Sequence, residues 1–511
     1  MFKICRQSIA LFLMVGLLEA CSGNSGKARC YYVSNDGDDK NSGLSADQPW
    51  KSITRVNEQE AFLPGDRILF RCGDKWCDTL ALTPRGSGSL GKEIVLGRYG
   101  EGDKPIIQIT AGDDDAVRLR GQSHWIIENI EVRSENGNGI AVDGGENKAV
   151  ENILIRGVYA INCSYRYGQR EFDHCGIRVG NHGKNTFIPE GSRFVNVKIE
   201  NCVVDNCATG IMIAGRKFDA TKEDIGDTVS RNNHISNCIA RNLRGDGIVI
   251  FCSADVSITN SLCYNASSYN GDNKCTAGIW TWNVRNGRVS GCESYGHLEP
   301  GCDRNPFDSD YHSYNVIFEH NYGHDCYGSA ILMCAPGGTN DMTVFRYNVF
   351  RNCGAGNNRQ KGFIYFYDCD IPQRRYIHNN TFVGNPISAF GSTDGKKSWC
   401  YVYNNIFYHT EGMKYNGVEM GHPHDYNLWY NVAGIKDESN AVIADPLFSQ
   451  VTETGVGFCD GLKILSGSPA IDAGCDLTSL SIGLTEMGTA DYWGNKVPYG
   501  NYDIGAHEYV P

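Results

Sequence analysis

A four-residue phrase that returns eight times constrains this chain more than any other feature. It reads I-E-N-C at 199–202, I-S-N-C at 235–238, I-T-N-S at 258–261, V-S-G-C at 289–292, F-E-H-N at 318–321, F-R-Y-N at 345–348, I-H-N-N at 377–380 and V-Y-N-N at 402–405. Each opens on an apolar residue and closes on a column of Cys202, Cys238, Ser261, Cys292, Asn321, Asn348, Asn380 and Asn405. Recurrence every two to three dozen residues marks a stacked-repeat fold, in which each unit buries its apolar face on the next and insertions fall in loops. The expectation is an all-β chain wound as a parallel β-solenoid, with the buried asparagines continuing along the axis as an amide ladder. A β-propeller is the alternative, but its blades of four antiparallel strands fit the uneven spacing poorly. Leucine-rich repeats lack support because there is no leucine consensus.

Sixty glycines and abundant asparagine suit short strands joined by many turns. The balance of 59 acidic to 47 basic side chains argues against a nucleic-acid-binding surface. Twenty-two cysteines in an exported chain ordinarily suggest a disulfide framework. Many of them fall in the repeated N-C phrase, where a small buried side chain explains them as well as bonding does. The C-G-D-K-W-C stretch at 72–77 is the better disulfide candidate. No paired C-x-x-C motif with zinc spacing occurs, so the metal ligands, if any, are unknown.

Four further segments share one alternation: G-I-W-T-W at 278–282, P-F-D-S-D at 306–310, A-I-L-M-C at 330–334 and F-I-Y-F-Y-D at 363–368. Alternate side chains of a strand face opposite sides. Stacked in register, the segments turn Ile279, Thr281, Phe307, Ser309, Ile331, Met333, Ile364 and Phe366 to a core. The other face then carries Trp280, Trp282, Asp308, Asp310, Leu332, Cys334, Tyr365 and Tyr367. Two carboxylates between rows of rings suggest a sugar-binding groove.

Glycoside hydrolysis needs two carboxyl groups flanking the scissile bond. Residues i and i+2 of a strand lie roughly 6.5–7 Å apart at the backbone, so Asp308 and Asp310 suit the separation of about 6.5–9.5 Å found in inverting enzymes. A calcium site or a hydrogen-bonded surface pair is the bland reading of the same two residues. Asp325 and Asp368 are reserve acids. Trp280, Trp282, Tyr365 and Tyr367 are expected to line the groove, with packing under a long loop as the alternative. His297 and His324, in the matching phrases S-Y-G-H and N-Y-G-H, are candidate substrate contacts. The reading is an enzyme that degrades a polysaccharide or oligosaccharide by hydrolysis, without a required cofactor. A polysaccharide lyase and a non-catalytic glycan-binding protein are the rivals. A lyase needs a base and a cation to neutralise a uronate, and no Lys or Arg stands in the aligned outward columns beside the Asp pair.

The phrases G-I-x-I and N-x-x-F from about Asp115 to His409 resemble the right-handed parallel β-helix of pectate-lyase-like proteins. The opening, Y-Y-V-S-N-D-G-D-D-K-N-S-G-L-S at 31–45 with P-W-K-S-I at 49–53 and L-P-G-D-R-I-L-F at 63–70, is similar to that of exported β-helical carbohydrate enzymes. So are A-D-P-L-F at 444–448, S-P-A-I-D-A-G at 468–474 and D-I-G-A-H-E-Y at 503–509 near the other end. Residues 306–326 resemble a stretch of some β-helical glycoside hydrolases, including a family containing α-L-fucosidases. The apolar run from Ile9 to Leu18, ending in L-L-E-A-C, resembles a bacterial lipoprotein signal with Cys21 as the lipidated residue. That implies a monomer exported and anchored by lipid to the outer membrane. The organisation expected is a signal at 1–21, tether, cap and first coils at 22–110, β-helix repeats at 111–440 and a C-terminal cap at 441–511. D-G-D-D-K-N-S-G at 36–43 has alternating carboxylates as calcium loops do, but lacks the closing Glu and reads as a tight polar turn.

Overall fold

A computed structural model describes residues 28–511, apart from 113–114, 146–148, 165–173, 181–191, 269–274, 355, 357–361, 453–454, 456 and 458. Among the described residues nearly every regular element is a short strand, and the strands of successive coils pair in parallel. The larger sheet holds 24 strands and bends into two faces; the second sheet holds 14 and follows chain order. A central coil contributes one segment to each face of the large sheet and a third to the second sheet. The coil of Asp308 does so with Phe307–Ser309, Ser313–Glu319 and Tyr322–Cys326. The all-β right-handed parallel β-helix expected from the repeat is the fold observed. Parallel pairing runs past the limits set for the repeats, from Cys30–Val33 to Val442–Ile443.

The repeated phrase is the bend between the large and second sheets. Its third position is left-handed in every coil: Asn201, Asn237, Asn260, Gly291, His320, Tyr347, Asn379 and Asn404 have φ between 48° and 64°. Asn and Gly reach that region most readily, which explains their dominance there. The next position points inward and stacks. Asn321 Nδ2 donates to Asn348 Oδ1 at 3.0 Å, Asn348 to Asn380 at 2.9 Å and Asn380 to Asn405 at 3.0 Å. The ladder gains one rung not expected from the sequence, Asn427, whose Oδ1 accepts from Asn405 at 3.1 Å. Cys202, Cys238, Ser261 and Cys292 continue the column upward, each a small group filling the same slot and bonded to carbonyls within the coil stack. Leaving a buried amide unpaired costs about 1–3 kcal/mol, so a rung depends on its neighbours. Stacked rings fill the rest of the lower core, among them Phe350 on Phe382, Phe382 on Phe407 and Phe407 on Trp429.

A short helix at Ile53–Asn57, capped by the Ser52 side chain, buries Ile53 and Val56 against the opening coils. The acids of the turn at 36–43 are taken up by protein partners: Asp36 pairs with Arg71, Asp38 accepts from Lys40 N, and Asp39 from Lys51 N, Ser52 N and the Ser52 hydroxyl. Residues after 441 do more than close the end. They run back along the flanks, where Cys459, Leu462 and Ala506 pack on Tyr322, Val349 and Val383, and Leu477, Leu484 and Met487 on Val344, Tyr376 and Tyr403.

The disulfide expectation is corrected. Cys72 is buried and Cys77 exposed, and both are free. The bond observed joins Cys275 to Cys302. Cys77 lies on Lys75–Asp78 with its side chain exposed, while Cys72, just past the strand Arg67–Arg71, is buried and bonded to Gly100 O. The cysteines of the repeated phrase are buried thiols, as a packing slot requires.

Candidate active site

The first face of the large sheet is built from β1 (Thr209–Ala214), β2 (Ile248–Thr259), β3 (Ile279–Ser290), β4 (Phe307–Ser309), β5 (Ile331–Cys334) and β6 (Ile364–Tyr367). Their pairing sets Met212, Val249, Trp280, Asp308, Leu332 and Tyr365 in one outward column. Ala214, Phe251 and Trp282 begin the next, which Cys334 and Tyr367 continue. The register matches the alternation in the sequence, and Ile279, Phe307, Ile331, Met333, Ile364 and Phe366 lie in the core.

The outward face is largely covered. Trp280 is 2% exposed and Trp282 4%, packed with Met212, Val249 and Phe251 as a second apolar layer. Tyr365 is likewise buried, against Leu332 and Cys334. Of the rings expected to line the groove, these three are buried, which is the alternative of packing beneath a covering layer. Burying aromatic faces beneath a folded-over segment removes far more apolar surface from water than a single strand face would. Tyr311, His312 and Tyr367 are the rings left half-buried at the edge, with Tyr311 packed against both layers.

The acids separate into three groups. Asp308, only 3% exposed, lies between Trp280 and Leu332 in the outward column. Asp310, half-buried, donates its N–H to Thr281 O at 3.0 Å and accepts from Tyr311 N at 2.8 Å. A third carboxyl, Asp303, joins them. It and Arg304 are both left-handed, with φ of 64° and 66°, turning the chain just before Pro306. This turn sets Asp303 beside the Cys275–Cys302 disulfide, 3.4 Å from Cys302 Sγ. Two successive non-glycine residues in that region are strained. The Arg304 guanidinium helps hold the turn: fully buried, it donates to Glu299 O at 3.1 Å and to the Thr276 hydroxyl. Burial lowers the Arg304 pKa, opposed by Asp303, Asp246 and Glu299 nearby. Burial, reinforced by Asp308, Asp310 and Asp303, pushes the Cys334 thiol well up. One buried sulfur thus feels all three carboxyls. A fourth, Asp246, is fully buried and accepts from the Trp280 indole and from Ala277 N, each at 3.0 Å.

The other sequence candidates lie elsewhere. Asp325 lies within the second-sheet strand Tyr322–Cys326, left-handed at φ 50°, and bonds His324 Nδ1 at 2.7 Å and Asn352 Nδ2 at 3.0 Å. His324 is buried between the rings of Tyr295 and Tyr322, its Nε2 3.1 Å from Glu293 Oε1. His297 is fully buried, bonded to Ser294 Oγ and Ala266 N, and burial pushes its pKa down to about 3. Both histidines are corrected from groove contacts to interior fixtures, because the phrase Y-G-H belongs to second-sheet strands and the turns after them. Asp368 follows β6 in a left-handed turn and shares Lys396 with Asp370, at 3.4 and 3.3 Å. Among the described residues, Cys275, Cys302 and Asp303 are the one group clustered as metal ligands would be, and its two sulfurs are bonded to each other.

Asp303 escaped the sequence reading because it precedes the alternating segment. The usable signal was the first acid in C-D-R-N-P-F-D-S-D, set before a proline turn.

The family described as right handed beta helix region matches residues 109–270 and 225–382. A lacto-N-biosidase of Bifidobacterium longum subsp. longum is 24% identical over 94% of this chain, which spans 36% of that relative. The crystal structure of a GH136 lacto-N-biosidase from Eubacterium ramulus aligns with a TM-score of 0.61 at 21% identity, over 77% of this chain and 67% of that one. XylC in complex with xylose aligns at 0.51 and 12% identity, over 94% and 98%. At these identities the structural likeness is one of fold.

Proposed function

The chain belongs to the right-handed β-helix family, and from that premise we propose that it is a glycoside hydrolase acting on an oligosaccharide or polysaccharide. The observation that carries the reading is the convergence of Asp303, Asp308 and Asp310 on one outward patch, around Cys334 and beside half-buried rings. Similarity to lacto-N-biosidases supports hydrolysis as the reaction class. Asp303 and Asp310 are the accessible pair and take the roles of acid and of base or nucleophile. Three carboxyls in one neighbourhood repel one another when all are ionised, which favours one keeping the proton that the leaving oxygen needs. Asp308, buried between them and the Trp280 layer, shapes that field without touching the sugar. Tyr311 and Tyr367 pack on sugar faces. This chemistry calls for no cofactor.

The test is incubation with an aryl lacto-N-bioside and a panel of plant and host glycans, following reducing ends and ultraviolet absorbance together. Saturated sugars are expected. An unsaturated, absorbing product would mean elimination, and binding without any product a glycan-binding protein.

Export and lipid anchoring at Cys21 rest on the sequence, and residues 1–27 lie outside those described. Radioactive fatty acid should label the protein in its native host and not a Cys21→Ser variant; an unlabelled native protein removes the anchor.

A further inference from the structure

Residues 215–229 leave β1 and return at Ser230 by way of the outward face two coils further on. They are tied down there. Phe218 N donates to Asn283 Oδ1 at 2.9 Å, Asn283 Nδ2 donates back to Phe218 O at 2.8 Å, and Arg285 Nη1 reaches Ala220 O at 2.6 Å. The arm delivers the cations that the aligned strands lack. Lys217 Nζ lies 5.6 Å from the Trp282 ring centroid. Trp282 meets Tyr311 and His312 edge-on at 5.8 and 5.7 Å, and Tyr311 N is bonded to Asp310. Lys217 thus stands one ring away from Tyr311 and Asp310, with Arg216 next to it in the chain.

With Phe218, Ile225, Thr228 and Val229 they line a cavity of about 150 Å³. That is below the several hundred Å³ of a pocket for a whole small molecule, but suits one substituent. Elsewhere on the arm Asp219 is bonded to the Thr221 hydroxyl and paired with Lys222, and Asp224 accepts from Gly226 N. Among the described residues neither Arg216 nor Lys217 has a carboxylate within ion-pair distance, in a chain where acids outnumber bases 59 to 47. Two adjoining cations facing a common cavity are completed by an anion: guanidinium suits planar oxyanions, ammonium acts as a point charge.

We propose that this cavity is a subsite for an anionic substituent, carboxylate or sulfate ester, on the glycan whose neighbouring bond lies at Asp310. The proposal rests on the hydrolase reading for what the site does, but not for what it binds.

Titration calorimetry with glucuronate, N-acetylglucosamine 6-sulfate and neutral N-acetylglucosamine tests it directly. The acidic sugars should bind, weaken at high salt, and lose at least about tenfold in affinity in Arg216→Gln/Lys217→Gln. Thr228→Glu, which adds a carboxylate at the exposed rim without touching the core, should impose the same loss. Whichever acidic sugar binds tighter identifies the substituent. Equal binding of the neutral sugar, or acidic binding untouched by either variant, overturns the proposal. Turnover of matched neutral and acidic oligosaccharides separates the two readings. Cleavage of neither sinks the hydrolase while the calorimetry still decides the subsite, and cleavage of both alike, with variants unaffected, sinks the subsite alone.

Discussion

Asn427 Nδ2 donates to Glu438 Oε2 across 3.3 Å, so a stack of five asparagines ends on a carboxylate. The Trp429 indole donates to the same oxygen at 3.2 Å. Burial pushes the Glu438 pKa up to about 7, against these two hydrogen bonds. Burial likewise raises Asp503 to about 6 and Glu508 to about 7, in the segment folded over the flanks.

A carboxyl whose folded pKa exceeds its unfolded one stabilises fully below the unfolded value and loses that contribution as pH rises through the folded one. All three groups act in this sense. The thermal midpoint should therefore fall between about pH 5 and about pH 8, and Glu438→Gln should flatten the decline. Each unit of displacement is worth about 1.4 kcal/mol. A midpoint that climbs over this range contradicts the assignment.

Within the ladder, Asn348→Ala removes the acceptor of both Asn321 N and Asn321 Nδ2 and the donor to Phe318 O. At about 1–3 kcal/mol for each buried group left unsatisfied, the loss on urea unfolding should reach several kcal/mol. Cys238→Ser places in the column a residue that Ser261 already supplies one coil on, and should cost under about 1.5 kcal/mol. Equal losses would mean that the column is held by packing alone.

Replacing a general acid or base typically costs about 10²–10⁴ in rate. Asp303→Asn and Asp310→Asn should each lose at least that in kcat with an unchanged melting temperature. Asp325→Asn and Asp368→Asn should stay within about threefold of the native rate, since one is bonded to His324 and the other to Lys396. An inactive Asp325→Asn enzyme that remains folded would relocate the chemistry.

What the sequence conveyed and what it withheld follow one physical division. The ladder column and the register of Trp280, Asp308, Leu332 and Tyr365 were legible because in-register stacking repeats a local pattern from coil to coil. The cover over Trp282 was not, because it comes from Lys217, 65 residues upstream in an arm without periodicity. His297 and His324 read as substrate contacts because the short phrase Y-G-H carries no sign of which way its side chains face, although both are buried and the strand Tyr322–Cys326 runs through the second phrase.

His324 offers a spectroscopic check. Burial disfavours its charged form, but hydrogen bonds to Asp325 and Glu293 outweigh this and raise its pKa above 6.5. Stability from this pairing is complete below 6.5 and declines as pH rises through the raised value. Its imidazole resonances should titrate above those of a free histidine, and Asp325→Asn should bring them down. Titration below 6.5 in the native protein would contradict the pairing.

The left-handed bend between the two sheets also governs where this molecule can change. Its strand, bend and ladder residue follow one another without interruption, although steps along the ladder range from 22 to 32 residues. Along the same stack the connecting segments 215–229, 296–306 and 335–339 fall at the two junctions bordering β1–β6. Coil length can thus drift at the rims of the acid-bearing face. Diversification of that face can proceed there, by insertion and deletion, without disturbing the column that holds the coils together.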